Sequence, residues 1–224
     1  MNSQNVLELA IFLGALLVTA PLLGNYLARL FRTEEPVFAP VERALYRIIG
    51  TSGEDTNWKQ YSFALLAFNL LGIAVVFLLQ LVQVSLPLNP QGLANVSWHS
   101  ALNTAVSFVT NTNWQGYSGE VTMSYFTQMV GLTVQNFVSA ATGMAVVAAL
   151  ARGIARKNAQ GIGNFWVDLT RSTVFVLLPL SFLFAIFLIG QGVVQNFQSY
   201  QAATTIEGAQ QVLPMGPAAS QVAI

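Results

Sequence analysis

Cysteine is absent from this sequence, histidine occurs once, at His99, and charged residues make up only 8% of it. The missing thiols exclude disulfides, thiolate metal sites and thiol catalysis. A lone histidine cannot build a metal site. Soluble domains carry about 25% charged residues, so the charge here is too sparse for a water-facing surface, and 54% of the residues are hydrophobic. Nine basic and nine acidic residues cancel. The zero net charge gives no argument for a nucleic-acid partner, and none is expected.

Long apolar runs are what the sequence has instead. From Gln60 to Ala151 the only formal charge is Glu120, and from Ser172 to the end it is Glu207. Val6–Phe31, Tyr61–Leu86 and Tyr125–Ala151 each exceed the length of about 20 apolar residues that a spanning helix needs. Val167–Val194 qualifies once Asp168 and Arg171 are placed at its end. The first run carries Glu8 and no early Lys or Arg, is long, and has no small-x-small site close behind it, so it reads as a span rather than a cleavable signal peptide. Pro21 is expected to kink it, which a spanning helix tolerates.

The basic residues fall in two places. Arg29, Arg32, Arg43, Arg47 and Lys59 flank one loop, and Arg152, Arg156, Lys157 and Arg171 flank another. The positive-inside rule puts 32–59 and 152–166 in the cytoplasm and the N-terminus, 87–124 and 195–224 outside. Loop 98–119 must then dip into the membrane and return on the same side. Trp58, Trp98, Trp114 and Trp166 sit near the expected interfaces, with packing behind the loop a second reading for Trp114.

The expected order is an N-terminal helix (6–31) and cytoplasmic loop with a short helix (40–50), making a first region over 1–57. A second region, 58–151, holds a helix (58–86), a pore helix (98–109), a filter (110–116), an outer return (117–123) and a helix (124–151). The third, 152–224, holds a basic link, a helix (166–194) and an outer segment. The fold class is an all-α membrane protein: an N-terminal helix, one outer-helix, pore-loop, inner-helix unit, and the first helix of a second unit. Pro214 and Pro217 could open a further helix; a frayed tail is the other reading.

The stretch WHSALNTAVSFVTNTNWQGYSG, residues 98–119, contains no Lys, Arg, Asp or Glu. It offers carbonyls, hydroxyls and amide oxygens, the ligands of a dehydrated monovalent cation. Ser97 is the expected N-cap. Ala101, Leu102, Ala105, Phe108 and Val109 supply an apolar face at helical spacing, and the helix's partly negative end would point at the filter. Thr110, Asn111, Thr112 and Asn113 are expected to run extended, with Gly116 and Gly119 taking positive φ for the return. The competing reading is an ordinary outer loop rich in turn residues.

Other polar residues carry less. His99 is either a solvated interfacial residue or a proton sensor. Asp168 and Arg171, three apart on one helix, are expected to pair. Glu120 either draws cations to the mouth or is a plain solvated acid. Asn69, Gln80, Gln128, Gln135 and Asn136 are expected to hydrogen-bond between helices. Ser139, Ala140 and Gly143 form an expected small-residue packing face.

Several segments are more specific. ALNTAVSFVTNTNWQGYSGE at 101–120, TNWKQY at 56–61, GLTVQNFVSAATG at 131–143 and EGAQQVLPMGP at 207–217 closely resemble the potassium-binding A subunits of bacterial Kdp potassium-transporting ATPases. The resemblance runs the length of the chain. It implies a channel-like subunit of repeated outer-helix, pore-loop, inner-helix units preceded by an extra helix, of which this chain is an N-terminal part ending inside the second pore helix. It places the first filter strand on Thr110, Asn111, Thr112, Asn113, Trp114, Gln115 and Gly116, one quarter of an outer potassium site. Potassium is then the bound ion, with no organic cofactor. The implied partners are a P-type ATPase catalytic subunit and small accessory subunits in the bacterial inner membrane. The chain has no GxxxxGK[ST] phosphate loop and no DKTG, so it is not expected to be catalytic itself. A passive potassium channel or symporter subunit of the same repeat superfamily is the alternative. A membrane-embedded enzyme is weaker still, for want of converging ionisable groups.

Overall fold

The structure, a computed structural model, describes residues 3–32, 38–155 and 161–224. Arg156, Lys157 and Asn158 of the basic link lie outside those residues. The chain divides into two compact units, Met1–Ser52 and Gly53–Ile224.

In the first unit, helix α1 spans Ser3–Arg32 and runs through Pro21 without a break. Thr19 donates its hydroxyl to Ala15 O at 2.8 Å, one turn back. Helix α2, Ala39–Ile49, has Pro40 in its first turn, where a missing N–H costs nothing. Its Glu42 is buried and accepts from the Phe38 N–H at 3.2 Å and the Tyr46 hydroxyl at 2.5 Å. It ends on Gly50, whose φ of 79° makes the left-handed cap that releases the chain.

The second unit begins with helix α3, Trp58–Leu81, started by a reciprocal cap. Asn57 Oδ1 accepts from the Lys59 and Gln60 N–H groups at 3.0 Å, and Gln60 Oε1 accepts from the Asn57 N–H at 3.2 Å. The expected helix 58–86 stops five residues early and passes into a 3₁₀ turn, Gln83–Ser85. Gln83 explains the stop. Its buried amide donates to Ala94 O at 2.5 Å and Thr122 O at 2.8 Å and accepts from the Ser124 N–H at 3.1 Å. Three backbone groups from two loops are thereby held at one side chain.

Helix α4, Trp98–Val109, follows with the bounds expected of the pore helix. After a short helical turn, α5 (Gly119–Thr122), a π-helical segment Thr127–Thr133 leads into α6, Val134–Ala155. The expected helix 124–151 therefore runs four residues longer. Helix α7, Phe165–Arg171, passes through a second π segment, Ser172–Leu177, into α8, Leu178–Gly190. The expected 166–194 ends early there, and Gly192 turns the chain out. Among the described residues, four helical stretches, Gln4–Arg32, Trp58–Leu81, Thr127–Ala155 and Phe165–Gly190, are long and apolar enough to cross a bilayer. The chain is an all-α, multi-pass membrane protein.

Two apolar layers hold the second unit together. Val76, Val96, Ala101, Ala105, Phe108, Met123 and Leu132 pack where α4 lies against α3. Tyr61, Ala141, Ala145, Ala149, Phe165 and Leu169 pack at the other end of α3. Ala141, Ala145 and Ala149, four apart, let the α6 backbone come close to the rings of α7. They, rather than Ser139, Ala140 and Gly143, form the small-residue packing face; Gly143 is exposed.

The second layer surrounds a charged node. Arg152 pairs with Asp168 through two N–H groups, Nη2 to Oδ1 at 2.5 Å and Nη1 to Oδ2 at 2.8 Å. Nη1 also donates to Ile162 O at 2.8 Å. The Tyr61 hydroxyl shares its proton between Ala145 O at 2.8 Å and Asp168 Oδ2 at 3.0 Å. Asp168 thus takes its ion-pair partner from α6, across the link, and not from Arg171 on its own helix as expected. Thr56 and Gly163 join the two flanking loops through their backbones.

The segment after α8 is not frayed. It contains an antiparallel hairpin, β1 (Gln201–Thr204) and β2 (Gln210–Leu213), which the all-α expectation did not include, and a short helix α9 (Ala218–Val222) opened by Pro217. Tyr125 donates to Gln198 O at 2.8 Å and Tyr200 to Glu120 O at 2.5 Å, tying the segment to the loops around α5. Gly216, at φ +131°, packs under the Tyr125 ring.

Candidate functional site

Helix α4 ends on the loop 110–116, and the loop's conformation differs from the extended strand expected. Asn111 and Asn113 have positive φ, 58° and 54°, while Thr112 between them does not. Asparagine is among the few side chains that tolerate this region. Gly116 and Gly119, expected to supply positive φ, do not take it. The turn is made earlier in the loop, by Asn111 and Asn113.

The end of α4 dictates where the loop's polar groups face. Ser107 O accepts from the Thr112 N–H at 3.0 Å and the Asn113 N–H at 3.3 Å, and Phe108 O from the Asn111 N–H at 3.3 Å. Three successive N–H groups therefore point back into the helix end. No peptide bond among the described residues is cis, and in a trans peptide the carbonyl is antiparallel to the N–H that follows it. The carbonyls of Thr110, Asn111 and Thr112 therefore all turn away from α4, onto the exposed side of the loop. In an extended strand they would alternate.

Side-chain oxygens, expected beside the carbonyls, are largely committed to the protein. The Thr110 hydroxyl donates toward Val106 O at 2.9 Å, and Thr112 Oγ1 donates to Ser107 O at 3.0 Å. Ser107, buried on α4, donates its own hydroxyl to Trp114 O at 3.0 Å. The Trp114 carbonyl thus faces the helix, and the residue is 59% exposed instead of packed behind the loop. Gln115 and Gly116 are exposed at the far end. Tyr117, next along, is partly buried, and burial pushes its phenol up to about 12.

Ser97 occupies the N-cap position of α4, but its hydroxyl meets His99 Nε2 at 3.2 Å instead of capping. His99 is exposed, edge-on to Trp98. Gln80 does bond between helices, donating to Ala101 O at 3.2 Å, whereas Asn69 bonds within its own helix. Gln128 reaches Met123 O at 2.8 Å.

Two serines close to the loop were not recognisable as site residues. Ser107 lies on the apolar helix, and Ser139 reads as a small packing residue. The available signals were the Asn-x-Asn spacing, which suits alternating handedness, and polar residues at Gln135, Ser139 and Thr142, one stripe of an otherwise apolar span.

Spanning helices with a short helix ending on a charge-free loop define a polytopic membrane protein that presents backbone oxygen at one site. A family model described as "Potassium-transporting ATPase A subunit" matches residues 10–224, and the chain belongs to that family. The potassium-transporting ATPase potassium-binding subunit of Pseudomonas aeruginosa is 54% identical over 229 residues, covering 100% of this chain and 41% of the relative. That of Pseudomonas syringae pv. tomato is 55% identical over 229 residues, with the same coverage. That of Escherichia coli O139:H28 is 58% identical over 225 residues, covering 100% of this chain and 40% of the relative. The chain thus spans 40–41% of the length of these curated relatives.

Proposed function

We propose that this chain belongs to the potassium-binding, channel-like subunit of an ATP-driven potassium uptake complex. Potassium is its substrate, received through the pore loop at Thr110, Asn111, Thr112, Asn113, Gln115 and Gly116. The observation that carries the reading is the turning of three consecutive carbonyls to one side of the loop, opposite α4. Backbone carbonyls stand in for the hydration shell of a potassium ion, and the negative end of α4 lies behind them. One loop covers one side of an ion. The remaining sides come from equivalent loops.

In this reading 58–151 is one complete outer-helix, pore-loop, inner-helix unit and 1–57 the extra helix with its loop. The helix beyond 152 opens a second unit. The chain sits in the bacterial inner membrane with its N-terminus and residues 87–124 outside, an orientation that the clustering of Lys and Arg in the other loops supports. ATP hydrolysis belongs to a P-type ATPase partner, and small accessory subunits complete the complex.

Gln115→Arg tests the site. The substitution puts a cation at the outer end of the loop, where it repels an approaching ion. In cells whose potassium uptake depends on the transporter carrying this sequence, apparent potassium affinity falls at least tenfold, about 1.4 kcal/mol or more. Unchanged affinity in a rubidium uptake assay removes the filter role.

A further inference from the structure

Helix α6 bears two buried faces. Ala141, Ala145 and Ala149 form one. The other is polar, with Gln135, Ser139 and Thr142 at 4%, 3% and 8% exposure. These three stand four and three residues apart, a single stripe along the helix. The stripe has bonding capacity to spare: Gln135 Nε2 and, beside it, Asn136 Oδ1 are buried without a hydrogen-bond partner among the described residues.

Of these residues, Ser139 reaches the loop. Its hydroxyl lies 3.2 Å from Asn111 Oδ1 and 3.2 Å from Asn136 O, sharing one proton between them. The π segment Thr127–Thr133 sets this aim. An inserted residue turns the following helix by roughly 100° about its axis, so the phase of everything after Val134 depends on it. Asn111 is the first residue of the loop with positive φ. Its conformation decides whether the Thr110 and Asn111 carbonyls stay on the exposed side.

We propose that Ser139 is a positioning residue for the cation site, holding Asn111 in its left-handed conformation through the side-chain amide. The inference rests on the filter reading of 110–116. Ser139 contacts no ion. It limits how far the Asn111 peptides can rotate, and so fixes the spacing of the carbonyls that separates potassium from cations of other radius. It also couples the inner helix to the loop, so that movement of α6 is felt at the site.

The experiment measures rubidium and potassium uptake, with sodium as competitor, in cells dependent on the intact transporter, alongside the amount of subunit in the membrane. Ser139→Ala is expected to raise the apparent KM for potassium at least fivefold and to weaken discrimination against sodium, with the maximal rate per subunit within twofold. Glycine takes positive φ without help. In an Asn111→Gly background, Ser139→Ala is therefore expected to cause no further change in KM or selectivity. Ser139→Thr, which keeps the hydroxyl, is expected to recover most of the discrimination.

Unchanged KM and selectivity in Ser139→Ala, with Gln115→Arg still lowering affinity, overturns the positioning role and leaves the filter reading standing. A loss confined to subunit amount or maximal rate also overturns it, since that is what a packing residue would do. An equal additional effect in the Asn111→Gly background overturns it too. Failure of both Ser139→Ala and Gln115→Arg to alter cation dependence overturns the filter reading and this inference with it.

Discussion

Arg152→Ala removes one side of the ion pair that joins α6 to α7. Asp168 is 1% exposed at its side chain and Arg152 14%, so the pair is screened little by solvent. The change deletes two N–H donors at 2.5 and 2.8 Å from the carboxylate and one at 2.8 Å from Ile162 O. The carboxylate keeps the Tyr61 hydroxyl at 3.0 Å, a contact that already divides one proton with Ala145 O. Removing one partner of a buried pair costs about 3–5 kcal/mol. The exposed fringe of Arg152 admits some water to the vacated corner, which favours the lower end, about 3 kcal/mol. Tyr61→Phe loses one shared proton and costs less, about 1–2 kcal/mol. Trp166 stands edge-on to Phe68 and Phe165 beside this node, so its fluorescence reports on it. Denaturant titration of the purified chain in detergent, followed by tryptophan emission, measures each loss. Replacing both partners by apolar residues, Arg152→Met with Asp168→Leu, is expected to restore most of the stability, since neither charge is then stranded. Arg152→Ala within about 1 kcal/mol of the parent, or a double variant no better than Arg152→Ala, refutes the node as a structural clamp.

Gln83→Met keeps the volume and strands the Ala94 and Thr122 carbonyls and the Ser124 N–H. A loss of more than about 2 kcal/mol is expected in the same titration, and a neutral result would show that water replaces the amide. Gly216→Ala forces a non-glycine side chain to φ +131° and sets its Cβ about 2.8 Å from the Tyr125 ring. The hairpin 201–213 is then expected to come away from the outer loops and be cut by a protease added from outside, where the parent resists. Single cysteines on this cysteine-free background are expected to label from outside at Ser118 and Gln198 and from inside at Ser52 and Asn158. Cytoplasmic labelling of Ser118 would eliminate the re-entrant loop.

Composition determined the membrane class, because runs this long without charge leave no water-facing surface; the length of the apolar runs located the spans, and helical spacing of apolar residues located the pore helix. The charge-free loop was visible for the same reason: an absence of Lys, Arg, Asp and Glu does not depend on folding. Its backbone was not visible. An extended course at 110–113 satisfies local preference, but the carbonyls at the end of α4 draw the N–H groups of Asn111, Thr112 and Asn113 inward, and asparagine at 111 and 113 tolerates the positive φ that this requires. Pairing of Asp168 failed similarly. The i+3 rule describes an isolated helix, whereas the approach of α6 over its alanine face presents Arg152 at 2.5 Å. The aim of Ser139 depends on a π segment that shifts helical phase without any marker in the hydrophobic pattern. Local chemistry therefore set which segments fold and where they lie, and tertiary contacts, through hydrogen bonds between segments distant in sequence, decided which atoms face the site.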